Sequence, residues 1–281
     1  MFLGWSLPWR LKSPMDRARI DPLRFQRNII LGLLLALAAA AWAVLVWKGA
    51  GAGMALHAGR MGMTASLFLA MWVVMMVGMM FPAAAPMILA FHKVQSGKRQ
   101  REEAFVSTWV FVSAYLLVWT LTGVAAYAGA IAAGAIASGI ALSPAATARL
   151  GGAMLVAAGL YQLTPLKGLC LSRCRTPLAF FMTSWRDGPM GALRMGLLHG
   201  AYCLGCCWLL FAILFPLGIM NLAAMAAITL VVFAEKNMPR ARATARASAV
   251  ALMAYGAAVT LAPQLLPTFQ VAARVGMPAG M

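Results

Sequence analysis

Acidic side chains are scarce in this chain: six Asp and Glu stand against 23 Lys and Arg in 281 residues. That scarcity argues against a carboxylate proton relay through a membrane, and so against an ordinary proton-coupled antiporter. Charge of either sign is thin as well. Charged residues make up 10% of the chain and hydrophobic ones 63%, outside the range of soluble globular domains. The longest polar intervals are the first 28 residues, 92–104 and 164–188, and none is long enough for a soluble domain of useful size. No Walker loop, dinucleotide fingerprint, zinc-protease motif or nucleophile elbow occurs, so the corresponding chemistries have no motif to rest on. No internal repeat is visible, which weakens any analogy with inverted-repeat transporters.

What remains is a series of apolar runs near the length of a membrane span, about 20 residues. They fall at 29–47, 64–91, 105–130, 145–163, 191–214, 217–234 and 247–266. The pattern predicts an all-α, polytopic integral membrane helical bundle of about seven transmembrane helices with a cytoplasmic N-terminus. A basic cytoplasmic tail (1–28) would precede the bundle (29–266), and a short tail (267–281) would follow it. With that orientation 19 of the 23 Lys and Arg fall inside, and only Lys48, Arg60, Arg149 and Arg274 fall outside. The net charge of +17 is then topological and calls for no nucleic acid. The partners implied are the lipid bilayer, with Trp5 and Trp9 placed for its headgroups, and a membrane or small soluble protein. The first 28 residues carry no small-residue cleavage pattern, so the first span reads as retained. The location is a bacterial inner membrane, crossed several times. Pro82 and Pro86 should kink the second span or turn part of it along the interface. The small-residue stretch after the third span, 125–142, could extend that span or form a separate segment. Pro216 and Gly218 should set a tight hairpin.

The chemistry concentrates in the fifth run, MGLLHGAYCLGCCW. At about 100° per residue, Met195, His199, Cys203, Cys206 and Cys207 share roughly a third of the helix circumference. Thioether, imidazole and thiolate in a dry place form a soft-metal ligand set, or else a thiol redox site. Gly196, Gly200 and Gly205 would let a neighbouring helix come close. A second pair, Cys170 and Cys174 in CLSRC, reads as a cytoplasmic relay, with Lys167, Arg173 and Arg175 favouring thiolate. In MWVVMMVGMMFPAAAPM, helical geometry sorts the methionines into two stripes, Met71/Met75/Met79 and Met76/Met80/Met87. The first is assigned to face the fifth span, because thioether stripes suit Cu(I). Met54, His57, Met61 and Met63 lie in the outer loop, where they could collect an ion. His92 reads as an interfacial histidine. Asn221 should face the bundle interior as a polar group within a span, and Glu235 and Lys236 could pair or bind something.

Five stretches carry a resemblance: MWVVMMVGMMFPAAAPM (71–87), YQLTPLKGLCLSRCRTPLAFF (161–181), HGAYCLGCCWLL (199–210), GIMNLAAM (218–225) and the pair Glu235–Lys236. Over residues 64–240 the chain resembles a bacterial and archaeal family of predicted metal-binding integral membrane proteins, classed as a domain of unknown function. The resemblance implies a multi-span fold, a metal site and a small partner protein. The leading reading is an intramembrane soft-metal site for transport or delivery, with Cu(I) favoured over zinc. His199, Cys203, Cys206, Cys207, Cys170, Cys174, Met71, Met75 and Met79 supply the ligands, and no enzymatic activity is implied. Two other readings stay open at this point. One is a membrane thiol–disulfide oxidoreductase, and the other an accessory subunit of a larger membrane complex.

Overall fold

Short polar side chains and prolines fix where the helices begin. Thr64, Ser143, Thr164 and Asn221 each stand one residue before a helix and accept a hydrogen bond from a backbone N–H in its first turn. Prolines at the first turn of several helices reinforce these starts. The computed structural model describes residues 22–51, 64–140 and 142–269. Ten helices follow one another in it: α1 Pro22–Gly51, α2 Ala65–Gln100, α3 Thr108–Gly139, α4 Pro144–Gln162, α5 Pro165–Arg175, α6 Pro177–Ser184, α7 Gly188–Ala212, α8 Leu214–Leu217, α9 Leu222–Asn237 and α10 Ala241–Leu261. Among the described residues there is no strand.

Among the described residues five helices are long and apolar enough to cross a membrane: α1, α2, α3, α7 with α8, and α10. A sixth span arises if α4 and α5, bent by 63° at their junction, count as one. The sixth expected span, 217–234, corresponds to α9, which has 16 residues. It is shorter than the pattern suggests because Gly218, with φ of 99°, turns the chain and Asn221 starts the helix late. Leu33, Leu121, Leu230 and Leu261 are exposed, as apolar side chains are where a helix faces lipid.

α2 is the central rod. Of its apolar span 61% is buried, against 22% for α1 and for α10. Pro82 and Pro86 do not end it: the helix runs unbroken to Gln100, and Ala83, Ala84, Ala85, Met87, Ile88 and Phe91 beyond the first proline are buried. That half therefore packs inside the bundle and does not lie along an interface. The small-residue stretch extends α3 to Gly139. α4 and α10 approach so closely that a Cβ on Gly152 would stand 2.8 Å from the Gly256 carbonyl oxygen, and one on Gly256 2.6 Å from that of Gly152. Only glycine fits that crossing. At one end of the bundle Arg175, Arg240, Arg242 and Arg246 line an open pocket. Lys98 there pairs with Asp187, which also accepts from Trp185 Nε1 at 2.9 Å.

Candidate metal centre

α7 turns its chemical face inward. Met195, His199, Cys203, Cys206 and Cys207 are all buried. Gly196 and Gly200 allow this, because a Cβ on Gly196 would sit 2.5 Å from the Phe111 carbonyl oxygen and one on Gly200 2.8 Å from Val118. The close approach of α3 sets Tyr115 beside the site, its hydroxyl 3.1 Å from Cys203 Sγ. His199 lies among aromatic rings, with centroids of Tyr115, Phe111 and Phe180 at 5.3, 5.8 and 5.9 Å. Neither nitrogen of this 2%-exposed imidazole has a hydrogen-bond partner. An unpartnered buried polar group is costly, by roughly 1–3 kcal/mol.

The bend between α4 and α5 brings the second cysteine pair to the same place. Thr164 and Pro165 break the helix, and α5, bent 63° from α4, packs against α7. Cys170 Sγ is 2.8 Å from where a Cβ on Gly205 would stand, so this glycine makes room for a thiol. The Tyr161 hydroxyl donates to the carbonyl of the same glycine. Cys174, one turn further along α5, is buried where α5 packs against α7. The expected separate relay at the inner end is thus corrected: Cys170 and Cys174 flank the α7 cysteines. All five cysteines are free. Cys206 and Cys207 rest their thiols on the Cys203 carbonyl, at 3.1 and 2.8 Å.

α9 delivers the charge. Lys236 Nζ lies 2.8 Å from Cys203 Sγ. Its neighbour Glu235 does not pair with it. Glu235 takes a buried salt bridge from Lys167 at 2.7 Å and accepts from Gln162 Nε2 at 3.1 Å and from Ser248 Oγ at 3.4 Å. The basic residues flanking CLSRC are engaged elsewhere: Lys167 on Glu235, Arg173 on Thr183 and Arg175 on the Met238 carbonyl. Lys236, distant in sequence, supplies the cation at the thiols. Sequence reasoning missed the roles of Lys236, Lys167 and Tyr115. The available signal was an ionisable pair inside an apolar helix.

The methionine stripes also needed correction. Met80 Sδ is 4.0 Å from Cys203 Sγ, whereas Met71 and Met75 line a separate small cavity with Leu45, Phe68, Trp72, Ile219 and Met220. Met79 is buried. Residues 79 and 80 differ by about 100° around the helix, and the α7 contact goes to the second. Asn221 is a helix cap, accepting from the Ala224 N–H at 3.1 Å and donating to the Leu217 carbonyl at 3.1 Å. His92 bonds Thr108 at 3.2 Å and Ser96 at 3.1 Å. Met54, His57, Met61, Met63 and the tail with Trp5 and Trp9 lie outside the described residues. Among the described residues no three His, Cys, Asp or Glu side chains already stand in a metal-holding arrangement.

Buried thiols on two helices, an unpartnered imidazole and a thioether, enclosed in a bundle long enough to span a membrane, define a protein of soft-ligand character. Residues 69–259 match the model of the PpoB2 family, described as copper chaperone. The chain belongs to that copper chaperone family, and its role is copper-related. This description replaces the unknown-function designation suggested by the resemblance. No curated protein and no solved structure matches the chain.

Proposed function

We propose that the chain takes up Cu(I) as cargo within a bacterial inner membrane, through Cys174, Cys203 and Cys206 with His199 and Met80, and hands it to a partner protein. The observation that carries this reading is the burial of Cys174 on α5 and of Cys203 and Cys206 on α7, two helices packed together, beside His199, whose ring nitrogens have no partner. Soft sulfur and imidazole donors fit a monovalent copper ion. Charge fits as well. The Lys236 ammonium 2.8 Å from Cys203 Sγ offsets the charge of a thiolate there. Cys206 and Cys207 rest on the Cys203 carbonyl, so completing the site requires rotation of a thiol. Cys207 and Cys170 stand beside this set as further sulfur donors.

The test is chelator competition for Cu(I) by the full-length purified protein. Cys203→Ser and Cys174→Ser should each weaken binding by at least about tenfold, the lower end of what even supporting residues of metal sites contribute. His199→Phe should also lower affinity while leaving thermal stability equal or higher, since it removes two unpartnered nitrogens. Unchanged affinity in all three variants would overturn the proposal. A Cys174–Cys203 disulfide cycling with growth conditions, seen by thiol alkylation, would replace it with the redox reading.

A further inference from the structure

A second group of sulfur atoms stands apart from the cysteines. A cavity of about 20 Å³ is walled by Met71, Met75 and Met220 together with Leu45, Phe68 and Trp72. That volume is enough for one small guest (a water needs roughly 10–15 Å³). The three methionines come from two places. Met71 and Met75 are one turn apart on the same face of α2. Met220 lies in the turn before α9, where Gly218 adopts φ of 99°. The Trp72 ring is held in place by its Nε1 donating to the Trp119 carbonyl at 2.9 Å, and Phe68 stacks on it at 6.0 Å.

We infer that Met71, Met75 and Met220 form a second, all-thioether site for a monovalent soft cation, at the end of the bundle opposite the arginine pocket. The chemistry of the wall selects the occupant. Thioethers are neutral and soft, so they suit Cu(I) and its analogue Ag(I), while divalent ions prefer harder or anionic donors. The Trp72 and Phe68 rings add attraction for a cation. No donor there has to release a proton, so binding at this site is independent of pH. Thiolate ligands behave differently, because each must be deprotonated first. Met80, in contact with Cys203, lies five residues beyond Met75 on α2, about 7.5 Å along the axis. The two sulfur groups thus lie about 140° apart around α2, and a cation leaving the neutral site would pass round the helix to reach Cys203. This inference rests on the copper reading for the direction of travel, and its own ligands are separate.

The experiment uses full-length protein labelled with ¹³C-methyl methionine, titrated with Ag(I), in the natural sequence and in Cys203→Ser/Cys206→Ser. The methyl resonances of Met71, Met75 and Met220 should shift together over one equivalent of Ag(I) in both proteins, taken up after any remaining thiol site is filled, with equal affinity at acid and neutral pH. Met220→Leu, a near volume-conserving change, should weaken that event at least about tenfold, as loss of a direct ligand must, and should leave thiol-dependent binding intact. Selenomethionine-labelled protein gives a check that needs no substitution: X-ray absorption should find silver next to selenium. If the methyl resonances stay still, if Met220→Leu leaves the Met71 and Met75 shifts unaltered, or if silver has no selenium neighbour, the site is packing alone. Thiol-dependent binding without methionine shifts sinks this inference and spares the cysteine centre. Methionine shifts without thiol-dependent binding do the reverse.

Discussion

Two buried ammonium groups lie near one another in this bundle and are neutralised in opposite ways. Lys167, 1% exposed, meets the carboxylate of Glu235 at 2.7 Å, within a network completed by Gln162 and Ser248. Lys236, 7% exposed, meets a sulfur, that of Cys203, at 2.8 Å, with the Tyr115 hydroxyl on the same atom. A carboxylate in a dry network is a permanent counter-charge. A cysteine sulfur can be neutral, anionic or bound to a metal, so the second pairing can be remade. The first pair holds helices together, and in the function proposed above the second holds a place for an ion. Adjacent residues of one helix, Glu235 and Lys236, thus serve different ends.

The comparison breaks most visibly at Lys167. Lys167→Met strands the Glu235 carboxylate, and the expected loss is about 3–5 kcal/mol, as for other broken buried pairs. Thermal unfolding in detergent measures it, and the double variant Lys167→Met/Glu235→Leu should recover most of the loss. Lys236→Met should cost less, about 1–2 kcal/mol, because a thiol left without its ammonium can remain neutral. The same melts check this, and equal losses for the two lysines would erase the distinction. In Lys236→Met, Cu(I) affinity should also become more pH-dependent, since the thiol must then release its proton to bind. Ser248→Ala removes the long hydrogen bond to the carboxylate and the 2.9 Å one that Ser248 accepts from Gln162 Nε2, and should cost about 1 kcal/mol. The smallest effect belongs to the exposed pair. Hydrogen bonds from Lys98 and Trp185 hold the Asp187 carboxyl below its ordinary value. Its contribution to stability is therefore complete above that ordinary value and fades as the pH falls through the lowered one. A pH series of melts should show a slight acid-side loss in the natural protein that is absent from Asp187→Asn.

The contrast between the lysines also shows what the sequence could and could not carry. The fold class was legible because long uncharged runs admit little else, and the α7 face was legible because 100° per residue puts His199 with the cysteines whatever surrounds them. The partners of that face were not legible, since they depend on how other helices are turned. Cys174 arrives through a bend at Thr164–Pro165, and the sequence marks that break without giving its direction. Met80 rather than Met79 meets Cys203 through a rotation of α2 that two equivalent stripes could not decide. Lys236 reaches Cys203 from 33 residues away, and no local pattern pairs a lysine with a thiol. Asn221 looked like a polar group within a span because the hydropathy of 217–234 hides the turn at Gly218.

That turn has a consequence for the surrounding lipid. A rod of 16 residues measures about 24 Å, while the hydrocarbon slab of a bilayer is about 30 Å thick. α9 is too short to bridge that slab upright, so the headgroups cannot solvate both its ends unless the leaflets pinch inward. Asn221 at one terminus and Glu235 and Lys236 at the other depend on protein atoms for the company that water would otherwise give. Bilayer thickness, set by acyl length, thereby becomes a handle on this helix and on the sulfur it faces.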